Sequence, residues 1–304
     1  MSSPRVVVLT GGTGGAKLAR GMLDVVGPEQ LVAIANTADD IEIYGGYVSP
    51  DPDLLTFWLT DRIDERGWGL AGDTFHVMEG LRTLGTDVWF NLGDRDLAIA
   101  LERDRALRAG TRLTDAHAAI ARALGARMKV LPMSDDPVRT HVRAHGRWWS
   151  FQEFMIRAGS QGPIDEVDFR GVRSARATAE VLEAIAEARA IVIGPSNPVI
   201  SIGPMLALAE LRTALKDTAA PVVAVSPVVR GKVMKGPTAA FMEWAGQPLT
   251  STGIVAIYAN LIDGLVADER TDAVPTLETD VLLDSPAARR RAAEETLRFA
   301  LALG

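Results

Sequence analysis

Short β-branched apolar runs alternate along this chain with longer stretches whose apolar residues recur at helical spacing. The pattern predicts strands over 5–9, 31–35, 88–91, 129–131, 190–193 and 222–225, and helices over 16–26, 74–84, 97–108, 115–124 and 177–188. Strands alternating with helices predict an α/β protein, a parallel sheet with helices on both faces. Such sheets place ligands at the carboxyl ends of their strands. Residues 141–175 break the rhythm. "HVRAHGRWWSFQEFM" reads as a hairpin around His145-Gly146 and a short amphipathic stretch, while "GPIDEVDFRGV" has no helical period. This segment is read as an inserted lid in one α/β domain spanning 1–304. The tail 285–303 reads as a helix with Ser285 as N-cap and Pro286 at its first position.

Composition narrows the chemistry. The 304 residues are 47% hydrophobic, enough for a large core. A net charge of -7 argues against broad nucleic-acid binding but not against a phosphate held locally by backbone N–H groups. The absence of cysteine removes disulfides and thiolate chemistry. Four histidines are few for a multi-histidine zinc site, so a carboxylate-held Mg²⁺ fits better. No apolar run reaches the roughly 18 residues of a membrane span, and the N-terminus lacks a signal-peptide layout. A cytoplasmic protein is expected.

The polar motifs follow predicted strands and should crowd one rim of the sheet. "LTGGTGGAKLARGM" places Gly11, Gly12, Thr13, Gly14, Gly15 and Lys17 at a strand-to-helix turn, the geometry for an anion at a helix N-terminus. It matches neither the dinucleotide fingerprint nor the Walker A loop. "NTADD" gives Asn36, Asp39 and Asp40, and "SPDPD" gives Asp51 and Asp53. Carboxylates beside a phosphate site repel it unless a cation lies between them. The alternative is solvated turns and helix caps, Asp53 for a helix starting at 54 and Asp96 for one starting at 97. "NLGDRDLA" adds Asp94 and Arg95, and "PMSDDPVRTHV" adds Ser134 and His141. "IGPSNPVISIGP" brackets Ser196, Asn197 and Ser201 with Gly-Pro pairs, and "SPVVRGKVMKGP" brings Arg230, Lys232 and Lys235. Three cations in six residues of an acidic chain point to an anionic ligand.

In this order and spacing, together with "YVSPDPDLLTFWL", "GWGLAGDTFHVMEGLRTLG" and "FQEFMIR", these motifs resemble the 2-phospho-L-lactate transferase family, CofD or FbiA, of coenzyme F-420 biosynthesis. The resemblance runs from about residue 5 to 240 and more weakly beyond. It implies a Rossmann-like domain with an inserted subdomain, usually dimeric. It implies transfer of a phospholactyl or phosphoenolpyruvyl group from a guanosine diphosphate derivative to the terminal ribitol hydroxyl of the deazaflavin Fo, with release of GMP and a requirement for Mg²⁺. On this reading the donor lies against Gly11, Gly12, Thr13, Gly14, Gly15, Lys17, Ser196, Asn197, Ser201, Arg230 and Lys232. The deazaflavin lies against Asn36, Asp39, Asp94, Arg95, Ser134 and His141. Asp39 and Asp51 hold the metal, and Asp39 and Asp40 serve catalysis. The chain departs from the family pattern at Ala38, often glycine in relatives, at Met78, a basic position in some, and at "YGGYVSP", which replaces a histidine-glycine pair. The competing reading is a YvcK-like protein that binds nucleotide-linked sugars without turnover. A nicotinamide dehydrogenase is disfavoured by the incomplete glycine fingerprint.

Overall fold

In the computed structural model, residues 5–234 and 236–304 are described. In chain order, β1 (Arg5–Thr10) runs through Gly11 into α1 (Gly12–Val26), and β2 (Leu31–Ala35) follows. A small hairpin, β3 (Ile41–Ile43) and β4 (Gly46–Val48), precedes α2 (Pro50–Leu59), α3 (His76–Thr83), α4 (Asp94–Arg108) and α5 (Leu113–Ala123). The chain returns as β5 (Lys129–Pro132), then forms β6 (Arg139–Ala144), β7 (Arg147–Ser150), α6 (Phe151–Ile156) and β8 (Ile164–Arg170). Next come α7 (Ala179–Ala186), β9 (Ala188–Ile193), α8 (Gly203–Ala207), α9 (Ala209–Asp217) and β10 (Val222–Val225). A second small hairpin, β11 (Val228–Val229) and β12 (Lys232–Val233), leads to α10 (Thr238–Trp244), α11 (Ser251–Ile257), β13 (Gly264–Ala267), β14 (Thr276–Glu278) and α12 (Pro286–Leu303).

Seven strands form one parallel sheet in the order β14-β13-β10-β9-β1-β2-β5. The strands are apolar on both sides because both faces are covered. Val7, Leu9, Ile191 and Ile193 pack under α7, α9 and α11, while Val6, Val8, Ala190 and Val192 pack under α1, α2 and α12. This is the α/β architecture that the alternating pattern implied, in the Rossmann-like form that the family resemblance implied. Ser285 caps α12 by accepting from the Ala288 N–H at 3.2 Å, with Pro286 opening the helix.

The expected strand at 88–91 is not formed. These residues join α3 to α4, and Val88 and Phe90 pack against a separate small cluster of Val48, Met78, Leu92, Leu97 and Ala100. Their apolar character reflects burial without a strand edge to pair with. The His145-Gly146 hairpin is present, and β8 completes an antiparallel sheet β7-β6-β8. A longer excursion than the expected one leaves the sheet between β2 and β5 and carries α2 to α5.

Beneath that excursion lies a buried polar network. Arg103 on α4 is fully buried and forms a two-pronged ion pair with Asp53, while its Nη1 also donates to the Tyr47 carbonyl at 3.0 Å. Asp53 therefore does not cap a helix at 54; α2 starts at Pro50 with Ser49 as its N-cap residue. Asp96 is not a cap either. α4 starts at Asp94, and Asp73 accepts from the Arg95 and Asp96 N–H groups at 2.9 and 3.2 Å. His117, fully buried beside this network and 3.2 Å from the Thr56 hydroxyl, is pushed down to about 3 by burial and by the Arg103 charge. It stays neutral in the folded chain and takes up a proton in the unfolded chain below about pH 6.5. The folded value is the depressed one, so stability is fully present above pH 6.5 and falls as the pH drops toward 3. By linkage this single group removes about 2 kcal/mol at pH 5. His117→Gln should lose less stability between pH 7 and pH 5 in urea titrations than the parent. Equal losses would refute the assignment.

Candidate active site

The strand order reverses between β1 and β9: β1 leads outward to β2, β9 outward to β10. A crevice lies at such a reversal, outside the carboxyl ends of the strands, the position where open α/β sheets bind ligands. Residues 11–17, the turn after β1 and the start of α1, and the 194–201 loop after β9 border it.

The glycines are required chiefly by the meeting of the two loops. A Cβ on Gly14 would lie 2.1 Å from the Pro195 carbonyl oxygen, and one on Gly15 would lie 2.0 Å from the Thr10 hydroxyl and 2.5 Å from that of Ser196. On Gly11 it would lie 2.7 Å from Ser201 Cβ. Only Gly12 of the four faces open space, and its φ of +67° is the left-handed region that glycine enters freely. The four glycines thus bring the 194–201 loop onto the helix N-terminus and leave one position for a ligand. A bulky residue at position 14 reports on this packing rather than on binding.

The crevice opens into a cavity of about 520 Å³. One side is polar: Gly11, Gly12, Thr13, Gly14, Lys17, Asp39, Asp51, Ser196, Asn197, Ser201 and Ser226. The other is apolar, with Phe151 and Met155 of α6, Ile200, Val229, Val233, Met234 and Val281–Leu283. The Gly11 N–H donates to Ser196 Oγ at 3.1 Å, and the Gly12 N–H to Asp51 Oδ1 at 2.7 Å. The other Asp51 oxygen accepts from Asn36 Nδ2 at 3.0 Å, and Asn36 Oδ1 accepts from the Ala38 N–H at 2.9 Å. Asp39 and Asp51 are both buried. Burial, then the neighbouring Asp51 and Asp40 charges, raises the Asp39 carboxyl well above the usual carboxylate range; burial raises Asp51. Asp39 Oδ1 is buried with no hydrogen-bond partner among the described residues. Two buried carboxylates in one site, one with an unmatched oxygen, form an environment that favours a proton or a cation.

Asp40 does not line the cavity. It accepts from Ser49 Oγ at 2.8 Å and Tyr47 OH at 3.0 Å, and burial pushes it up to about 7 although Arg139 lies beside it. Asp94 accepts from the Thr74 hydroxyl and from the His76 and Val77 N–H groups, which makes it the cap of α3. Arg95 is exposed and donates to the Ala71 carbonyl at 3.3 Å. Ser134 is consumed by its own turn, donating to the Arg176 carbonyl at 2.6 Å and accepting from the Asp136 N–H at 3.0 Å. His141 sits half-buried in β6 and does not reach the cavity wall. Arg230, at the tip of the β11–β12 hairpin with φ of +51°, turns into a second, acidic depression with Asp268, Glu269, Glu278 and Asp280. Lys232 is exposed on β12 and lines neither cavity; Lys235 lies outside the described residues. Of the expected residues, Gly11, Gly12, Thr13, Gly14, Lys17, Asp39, Asp51, Ser196, Asn197 and Ser201 line the cavity, whereas Gly15, Asn36, Asp40, Asp94, Arg95, Ser134, His141, Arg230 and Lys232 do not.

Wall residues that the motif argument did not assign include Phe151, Gln152 and Met155 and the segment 281–284. Positions 151 and 155 share a helix face, a signal within "FQEFMIR"; the extended 281–284 segment carries none.

The family described as 2-phospho-L-lactate transferase CofD matches residues 6–294. The chain belongs to this family. It is 37% identical to the 2-phospho-L-lactate transferase of Methanosarcina mazei, over 88% of each chain. It is also 37% identical to the phosphoenolpyruvate transferase of Kitasatospora aureofaciens, over 94% of this chain and 96% of that one. A solved UPF0052-family protein from Bacillus halodurans shares the fold, with a TM-score of 0.64 over 97% of this chain and 99% of that chain at 17% identity. Membership places the chain among transferases of coenzyme F-420 biosynthesis acting on small molecules. Among the described residues no helix is long and apolar enough to cross a membrane.

Proposed function

We propose that this chain transfers a phospholactyl or phosphoenolpyruvyl group from a guanosine diphosphate derivative to the terminal ribitol hydroxyl of the deazaflavin Fo. The ribitol oxygen bonds to the phosphorus that carries the three-carbon acid. The bond from that phosphorus to the bridging oxygen breaks, GMP departs with that oxygen, and the hydroxyl proton passes to GMP or to solvent. The observation that carries this reading is the pair Asp39 and Asp51 facing the N-terminus of α1 in a cavity polar on one side and apolar on the other. The diphosphate lies at Gly12, Thr13 and Lys17, and the apolar wall of Phe151, Met155 and Leu283 suits a flat ring.

Asp51 already occupies the Gly12 N–H, so an incoming diphosphate meets a carboxylate as well as the helix N-terminus. The unmatched Asp39 oxygen and this juxtaposition fit Mg²⁺, which Asp39 and Asp51 would hold together with donor phosphate oxygens. Bound there, it neutralises charge on the diphosphate. The chain's own part is positioning: the helix N-terminus orients the donor against the transferring phosphorus.

The test is turnover with Fo, Mg²⁺ and each donor, phospholactyl or phosphoenolpyruvyl, followed by mass spectrometry for GMP and the charged deazaflavin. Product with one donor, abolished by EDTA and restored by Mg²⁺, is expected. Folded protein giving no product with either donor would overturn the assignment.

A further inference from the structure

Asp39 and Asp51 belong to separate segments, the turn after β2 and the first turn of α2. Something must fix one against the other. Asn36 and the Gly12 N–H hold Asp51. The Asp39 turn is held by main-chain bonds: the Thr140 N–H donates to the Ala38 carbonyl at 2.7 Å, and Gln152 Nε2 donates to the Asp39 carbonyl at 3.1 Å. Beside the Asn36 bond to Asp51, a second link between the two segments is Asp40. One of its oxygens accepts from Ser49, two residues before Asp51, and the other from the Tyr47 hydroxyl.

Tyr47 is where the surrounding elements meet. Its hydroxyl accepts from Arg139 Nη2 at 3.0 Å while donating to Asp40, and the Arg139 guanidinium lies 5.5 Å from its ring centroid. Its carbonyl accepts from the buried Arg103. β4, α4 and β6 are thereby tied to one residue that does not touch the cavity.

We propose that Tyr47 is a positioning residue. Its hydroxyl, held by Arg139, orients Asp40, which spans from the Asp39 turn to the α2 N-terminus and so sets the spacing of the two carboxylates that receive the divalent cation. This rests on the transferase reading above. Partners behind a metal-binding carboxylate tune metal affinity although they never touch the metal.

The experiment compares the parent with Tyr47→Phe, which deletes one oxygen and keeps the ring under Arg139 and the carbonyl on Arg103. Mn²⁺ binding is followed by electron paramagnetic resonance with guanosine diphosphate present, alongside steady-state kinetics. The Mn²⁺ dissociation constant should rise about tenfold and kcat fall about tenfold or more, with the Fo KM within twofold. Ser49→Ala removes the other bond to Asp40, makes no capping bond of its own to lose, and should produce the same shifts in Mn²⁺ affinity. If Tyr47→Phe lowers the melting temperature strongly, Ser49→Ala decides. Parental Mn²⁺ affinity in a folded variant overturns the positioning role and leaves the transferase reading standing. Parent protein that holds no Mn²⁺ overturns both. Parent protein that binds Mn²⁺ but gives no product overturns the transferase reading alone, and the variants' Mn²⁺ affinities still decide the role of Tyr47.

Discussion

Asp39→Asn is expected to abolish most turnover and, at the same time, to make the protein more stable. The activity loss follows from the position of the carboxylate: Asp39 lines the cavity beside Asp51, and one of its oxygens is buried without a hydrogen-bond partner among the described residues. Loss of such a group costs about 10²- to 10⁴-fold in rate. The stability gain follows from the sign of its shift. Burial and the Asp51 charge raise the Asp39 carboxyl above its unfolded value. A carboxyl raised in the folded state opposes folding increasingly as the pH climbs from its unfolded value to its folded one, and fully above that. The neutral amide removes that penalty near neutrality. Steady-state kinetics and thermal melting of metal-free protein at pH 7.5 test both halves. A variant within tenfold of parental kcat, or one that melts lower than the parent, would contradict the assignment of this residue.

Arg103→Ala carries the largest expected effect on stability. The guanidinium is fully buried, pairs with Asp53 by two bonds and holds the Tyr47 carbonyl. Truncation leaves the buried Asp53 without its counter-charge. Breaking such a pair from one side costs about 3–5 kcal/mol, which corresponds to a fall in Tm of roughly 10 °C in a chain of this size. The double replacement Arg103→Met with Asp53→Leu should recover most of the loss, because burying neither charge is close to neutral. A single variant within about 1 kcal/mol of the parent would show that the pair contributes little.

These two residues also show what a sequence reveals and what it hides. The sheet was legible because β1, β2, β5, β9 and β10 are continuous apolar runs separated by helical spacing. β13 escaped because its four residues begin with Gly264 and follow no long apolar run. The glycine turn and the 194–201 loop were legible as a pair of strand-end motifs. Their mutual packing was not, since which strand neighbours β1 is a property of topology. Asp39 and Asp51 stood out as acidic residues in "NTADD", just past a strand end, and in "SPDPD" downstream. Arg103 did not: "ALERDRALRAG" is a charged helix, and nothing local marks one of its arginines as buried against an aspartate fifty positions earlier. Asp94 and Ser134 looked like ligand contacts because caps and turns use the same polar residues as binding sites do. Arg230 and Lys232 were expected at the cavity from their place after β10; the direction of a two-residue hairpin decides that, and sequence does not encode it visibly.

The interior place of β1 in the sheet has a consequence for biosynthesis. β1 pairs on one side with β2 and on the other with β9, and the bond from Gly11 to Ser196 joins residues 185 positions apart. A nascent chain therefore carries one naked edge of β1 until residues 188–201 have left the ribosome. At about 5–20 residues per second that exposure lasts on the order of ten seconds or more, and an apolar strand edge left open recruits other chains. The crevice is thus among the last features to assemble. Fragments that end before β9 are expected to aggregate, and the yield of soluble protein to depend on translation speed and chaperone supply.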